Sequence, residues 1–292
     1  MDFSVVGQKI KELRKNIGLS QEELADGICT QAQVSKIEKG DVFPYASTLF
    51  LISRKLGVDV NYFFDIGMTP RLDYVQEVSK QLQIARRNMD YNEIKEIVNA
   101  EEENPLFFNN NRNLQILQWH KGIYQFELNK NIENAENILR NAISLTHTTD
   151  KIWSEREIEI LLTIGVMYSE QGHLEEALEI YHEVKNHIVT LPNLADFTLK
   201  TRLYYNIARV LTKLMDIDES IQFCNEAIDW CVQKDNMYLL GELHYHIGYN
   251  YELKGELEYA QKYMEKALIV FELQADDKFI QYIRKKIESL SK

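Results

Sequence analysis

Between Gln31 and Lys39 the chain carries Gln31, Gln33, Ser35 and Lys36 around an apolar pair, Val34 and Ile37, spaced three apart. If the segment is helical, the apolar pair faces inward and the four polar side chains lie off that stripe. Their chemistry is base-edge hydrogen bonding: an amide pairs bidentately with adenine, an ammonium meets guanine or phosphate, and a hydroxyl serves either. Plain solvation of a polar face is the alternative. Elsewhere chemistry is sparse. Cys29, Cys224 and Cys231 are an odd number, and Cys224 and Cys231, seven apart on one helical stripe, fit buried free thiols. His244 and His246 are two apart and point to different faces of a helix. No metal site, cofactor or nucleophile-base pair emerges, so catalysis is not expected.

A contact-ready helix needs a scaffold, and the flanks supply one. Residues 4–16 form a basic amphipathic helix with Val6, Ile10 and Leu13 inward, and Gly18 closes it. Ser20 with Glu23 three residues on is a capping box, and Leu24 and Ile28 give the next helix its inner face. After Gly40 and Pro44 come Leu49, Leu51, Ile52, Leu56 and the run Val58 to Phe64, making five helices in about 65 residues.

Leu19, Gln21, Leu24, Ala25, Val34, Ser35, Ile37, Glu38, Gly40 and Pro44 follow the signature of the Xre and phage-repressor helix-turn-helix family, which residues 4–65 resemble. The resemblance implies a DNA-binding domain in which Gln21 and Lys39 touch phosphates while Gln31, Gln33, Ser35 and Lys36 reach base edges. Thr30, at the preceding break, belongs to the same DNA-facing set, and Ala32 is placed to meet a thymine methyl. The family also implies a structural pair between Arg14 and Glu38.

With 292 residues, 45% hydrophobic and 27% charged, the chain is of ordinary globular composition and long enough for two domains. The net charge of -12 argues at first against nucleic acid. It is unevenly spread: residues 1–67 hold 8 Lys and Arg against 9 Asp and Glu, leaving 25 against 36 beyond them. A near-neutral reader makes few phosphate contacts, so a second copy is needed for useful affinity. No signal peptide or membrane-length apolar run is read, which leads to the expectation of a cytoplasmic protein without membrane contact.

From Leu72 onward the periodicity is helical throughout, and a pattern repeats. Gly165, Tyr168, Ala177 and Tyr181 recur as Gly248, Tyr251, Ala260 and Met264. Further copies read Ala208, Leu211, Ser220, Cys224; Ile123, Phe126, Ala135, Leu139; and faintly Leu82, Ala85, Ile94, Val98. Each is a helix, a polar turn and a second helix, with small residues allowing close approach and an aromatic filling the gap. This resembles the tetratricopeptide repeat, although the period exceeds the usual one. The expectation is all-α: a five-helix helix-turn-helix domain over 1–66, a linker and helix start over 67–75, and a solenoid of about five repeats over 76–292 with a C-terminal capping helix.

In such a solenoid the first helices line the concave wall. Residues one to two positions off the small-residue stripe include His120 and Tyr124; Leu162 and Val166; Arg202, Tyr205 and Arg209; and Glu242, Tyr245 and Tyr249. With amide and imidazole donors from Asn206 and His246, this wall suits an extended peptide. The order of the two halves resembles the Rap/NprR/PlcR/PrgX group of peptide-sensing regulators, its PlcR-type members in length. That resemblance implies a homodimeric transcription factor on a palindromic operator, controlled by a short signalling peptide, with Asn206 as groove asparagine, Arg86 and Arg87 meeting peptide acid groups, and Phe279 as a late aromatic contact. The alternative is a solenoid that docks a protein partner and takes no peptide.

Overall fold

The structure, a computed structural model, describes residues 3–69, 71–149 and 151–290. Among these residues no strand forms. The chain divides into two compact units, Met1–His120 and Lys121–Lys292.

The first unit opens with α1 (Phe3–Ile17), α2 (Gln21–Ala25), α3 (Gln31–Lys39), α4 (Ala46–Lys55) and α5 (Val60–Met68), the five helices expected from the sequence. Ser20 accepts from the Glu23 amide while the Glu23 carboxylate accepts from the Ser20 amide, so the capping box forms as read. Thr30 caps α3 by accepting from the Gln33 amide, and Gly40, at φ 80°, ends it in the left-handed conformation that a Cβ disfavours. Val6, Ile10, Leu24, Val34, Ile37, Leu49, Ile52 and Phe63 make one buried cluster. A Cβ at Gly7 would run into the Ile37 carbonyl oxygen, so α1 and α3 meet backbone to backbone. That close approach fixes α3 while its opposite face stays open.

The unit continues with α6 (Leu72–Arg87), α7 (Tyr91–Glu101), α8 (Pro105–Phe108) and the start of α9 (Asn111–Asn129). Leu82, Ala85, Ile94 and Val98, the faint repeat copy, are all fully buried. The Tyr74 hydroxyl donates to Glu101 at 2.5 Å and ties α6 to the end of α7.

The second unit holds the rest of α9 with α10 (Ile132–Ser144), then the pairs α11 (Glu155–Gln171) and α12 (Leu174–Thr190), α13 (Thr198–Lys213) and α14 (Ile217–Gln233), α15 (Leu240–Leu253) and α16 (Leu257–Gln274), and α17 (Asp277–Leu290). Every pair is an antiparallel hairpin; with α6 and α7 this gives five, closed by a C-terminal helix, as expected. The repeat spacing has a steric cause. A Cβ at Gly165 would strike the Tyr181 ring, and one at Gly248 would strike Met264. Tyr181 and Met264 are fully buried, each contributing roughly 1.5–3 kcal/mol of apolar burial.

In the α9–α10 hairpin the residue at this close approach is Gly122, packed on Leu139, rather than Ile123. The first helix there runs one residue further past its small residue: Gly122 stands ten positions before the start of α10, whereas Gly165 stands nine before the start of α12. Counting back from a matched second helix therefore slips the register of the first helix by one.

Candidate functional site

On α3 the inward Val34, Ile37 and Glu38 are buried, while Gln31, Ala32, Lys36 and Lys39 are exposed and Gln33 and Ser35 half-buried. Arg14 and Glu38 pair as the sequence implied: Arg14 Nε donates to Glu38 Oε1 at 2.5 Å and Nη2 to Oε2 at 3.0 Å. A third donor, Arg14 Nη1, reaches the Leu19 carbonyl at 2.6 Å. Burial opposes charge on Glu38, yet hydrogen bonds from Arg14 and Gln21 hold its carboxyl below the usual range.

The pair extends to the reading surface. Gln21 Nε2 donates to Glu38 Oε2 at 2.8 Å, and Gln31 Nε2 donates to Gln21 Oε1 at 2.7 Å. A primary amide has two N–H donors, so Gln31 keeps one donor and its carbonyl, the set that a bidentate adenine pair uses. Gln21 likewise keeps one N–H, and Thr30, which accepts in the cap, keeps its hydroxyl proton. The sequence singled out these side chains; the chain of bonds that orients them was not legible, since it depends on rotamers. Gln31→Ala or Lys36→Ala is expected to weaken specific binding by roughly 1–3 kcal/mol in anisotropy titrations. An equal loss on random DNA would reassign that residue to phosphate contact.

In the second unit the first helices carry rows in register. Glu159, Arg202 and Glu242 stand six residues before the small residue of their helix, Leu162, Tyr205 and Tyr245 three before, and Val166, Arg209 and Tyr249 one after. The structure brings several together. Arg202 Nη2 donates to Glu159 at 2.6 Å and to Asp196 at 3.1 Å. The Tyr205 ring meets His246 edge-on at 5.8 Å, His246 lies 6.3 Å from Tyr249, and Arg209 stands 5.8 Å from the Tyr205 ring centre. Asn206 and Val166 are half-buried, and Arg209 is exposed. Two buried polar atoms here have no hydrogen-bond partner among the described residues: Arg202 Nε, a donor, and Glu242 Oε2, an acceptor. Leaving such a group unmet costs about 1–3 kcal/mol.

Other expected contacts sit differently. Tyr124 is 3% exposed and Leu162 3%, so both are covered side chains rather than an open wall. For Tyr124 the one-residue slip is the reason, because its row on the other helices is Met167, Val210 and Asn250, all buried. His120 is buried too, its Nδ1 2.8 Å from the Ile116 carbonyl. His246 is mostly a structural group: its Nε2 lies 2.9 Å from Thr212 Oγ1 in a buried knot with Asn250 and Ser220. Tyr245 shares a 2.8 Å hydroxyl contact with Tyr282, and Phe279 stacks on Phe271 at 4.9 Å, which packs α17 onto α16. In the first unit the Arg86 guanidinium lies 4.3 Å above the Trp119 ring, and Arg87 is exposed. The knot had one sequence signal, Ser220 at a repeat position that takes alanine in other copies.

Residues 79–290 match the C-terminal domain of the RNPP family. The chain belongs to the RNPP family. Residues 10–63 match a helix-turn-helix domain. Over 98% of its length, and 99% of the other chain, this RNPP protein resembles Bacillus thuringiensis PlcR in complex with the peptide PapR7 and DNA, at 24% identity and TM-score 0.84. PlcR in its apo form matches at 22% identity and TM-score 0.68, covering 97% and 99% of the two chains. ComR from S. thermophilus, in complex with DNA and its signalling peptide ComS, matches at 16% and 0.64 over 98% and 100%. These likenesses establish the fold. No curated protein matches the sequence.

Proposed function

We propose that this chain is a sequence-specific DNA-binding transcriptional regulator controlled by a short signalling peptide held against the first helices of its repeat domain. Membership of the RNPP family and the open polar face of α3 support the DNA half of the reading. The peptide half rests on one observation above the others: a buried donor, Arg202 Nε, and a buried acceptor, Glu242 Oε2, are unmet on α13 and α15, the helices that also carry Tyr205, Asn206, Arg209 and Tyr249. An extended peptide offers a carbonyl and an N–H to both, and its side chains fill the spaces between aromatic rings. Solved relatives bound to both DNA and a peptide, PlcR with PapR7 and ComR with ComS, are consistent with it.

The domain limits we assign are 1–66 for DNA, 67–75 as connection and 76–292 for peptide and self-association. A homodimer spaces two near-neutral readers on a palindromic operator in the cytoplasm, and the chain acts by binding rather than catalysis. No helix among the described residues is long and apolar enough to cross a membrane. The test is thermal stability of the full chain with peptides from the C-terminal tail of a small secreted precursor encoded nearby. At a hundredfold excess over Kd the cognate peptide is expected to add about 2.7 kcal/mol, and Arg209→Ala to remove most of that gain. Equal stabilisation of wild type and Arg209→Ala would move the ligand away from this wall.

A further inference from the structure

In the second unit, the ends of α12 and α14 and the start of α13 enclose a hollow of about 310 Å³, within the size range of small-ligand sites. It is separate from the peptide wall, because it uses Lys200, Leu203 and Tyr204 of α13, whereas the wall uses Arg202, Tyr205 and Arg209. At 100° per residue these two sets fall on opposite faces of the helix. Ile188, Leu191 and Leu203 give the hollow an apolar lining. The Trp230 indole donates to the Phe197 carbonyl at 2.9 Å and fixes the loop that forms its rim.

Three ammonium groups converge on it. Lys200 stands 4.4 Å from the Trp230 ring centre and Lys234 4.8 Å, while Lys185 stands 4.7 Å from Phe223 and 5.6 Å from Tyr204. No carboxylate lines the hollow. Among the described residues none of the three lysines makes an ion pair within 4.0 Å. Burial pushes Lys200 below the ordinary ammonium range, Lys185 adds to that, and Glu226 of α14 is the acid that opposes it. Three mutually repelling cations gathered over aromatic faces, in the stretch 68–292 that holds 25 basic against 36 acidic residues, are a concentrated positive spot on an acidic surface.

We propose that this hollow binds a small organic anion with an apolar body, a carboxylate held among Lys185, Lys200 and Lys234 over the Ile188, Leu191 and Leu203 lining. The site is independent of the peptide reading and would give the regulator a second, metabolite-type input.

The full chain is titrated by calorimetry with 1-naphthoate and with its uncharged counterpart 1-naphthamide. Naphthoate is expected to bind at one saturable site that weakens with salt, and naphthamide roughly tenfold or more weaker. Lys200→Gln combined with Lys234→Gln is expected to weaken naphthoate by a similar factor, while Lys262→Gln combined with Lys278→Gln, which removes the same charge from exposed positions elsewhere, leaves it unchanged. Circular dichroism establishes that both double variants remain folded, and Lys200→Gln alone serves if the first does not. Absence of saturable binding at millimolar naphthoate, equal affinity for naphthamide, or unchanged affinity in the lysine-hollow variants would each overturn the proposal and leave the lysine-aromatic stack as packing only.

Discussion

Glu38→Ala is expected to destabilise the N-terminal helices by about 3–5 kcal/mol, because it leaves the Arg14 guanidinium buried without its counter-charge. Arg14 is 7% exposed and Glu38 3%, so water cannot replace the missing partner. Gln21 loses the acceptor for its amide in the same substitution, and Gln31 loses the oriented partner that holds it on the reading face. Denaturant titration of the full chain, following the first unfolding step, measures the loss. Replacing both partners at once, Arg14→Met with Glu38→Leu, is expected to cost less than Glu38→Ala alone, since a well-packed apolar pair carries no buried charge. Operator affinity of that double variant should still fall, because Gln21 is then unanchored. The Glu38 carboxyl is held low in the folded state, so its contribution is fully present above the ordinary carboxylate pKa and is lost as pH falls through the folded value. A cost under about 1 kcal/mol for Glu38→Ala would mean that the pair behaves as a surface bridge.

Asn250→Leu carries the second large effect, about 2–4 kcal/mol on the repeat domain. The Asn250 side chain is fully buried, accepts from Thr212 at 2.7 Å and donates to Ser220 at 2.8 Å. Leucine keeps the volume and leaves both hydroxyls short of a partner. The effect reaches the proposed peptide wall, because His246 is tied to the same Thr212 and carries the edge contacts to Tyr205 and Tyr249. Burial, with a small further push from Arg209, lowers His246 to about 4 from an ordinary 6.5. The unfolded chain therefore binds more protons between those values, and stability drops as pH falls through the window, on the order of 2 kcal/mol by about pH 5. His246→Gln, which cannot take up that proton, should reduce the slope of this part of the pH profile in thermal melts by about half, because His244, lowered to about 4 by burial, titrates in the same window. An unchanged slope would place the titration elsewhere.

The elements that follow from local chemistry were legible before the structure. The Ser20–Glu23 capping box and the Val34–Ile37 stripe define the two helices of the reader by capping and periodicity alone, whereas the caps made by Thr30 and Gly40 emerge from the structure. The repeat was legible because Gly165 and Gly248 must be small to admit Tyr181 and Met264, a constraint that fixes both identity and spacing. What escaped was set by helix length or by rotamer. One added residue in α9 after Gly122 put Gly122 in the place assigned to Ile123 and carried the expected wall residue Tyr124 into a buried row. The Gln31 to Gln21 to Glu38 chain, the Thr212 knot and the stacking of Lys200 on Trp230 and Lys185 on Phe223 depend on side chains from different helices, for which periodicity carries no signal.

The central claim is that a peptide bound by the repeat domain changes DNA affinity, and a ligand can do so only through unequal affinity for two forms of the protein. Operator binding by the full chain, followed by anisotropy with and without the candidate peptide at several salt concentrations, tests it directly. We expect the peptide to tighten operator binding by roughly 5–150-fold, with no such change for Arg209→Ala. A peptide that stabilises the chain yet leaves operator affinity unchanged at every salt concentration would contradict the account.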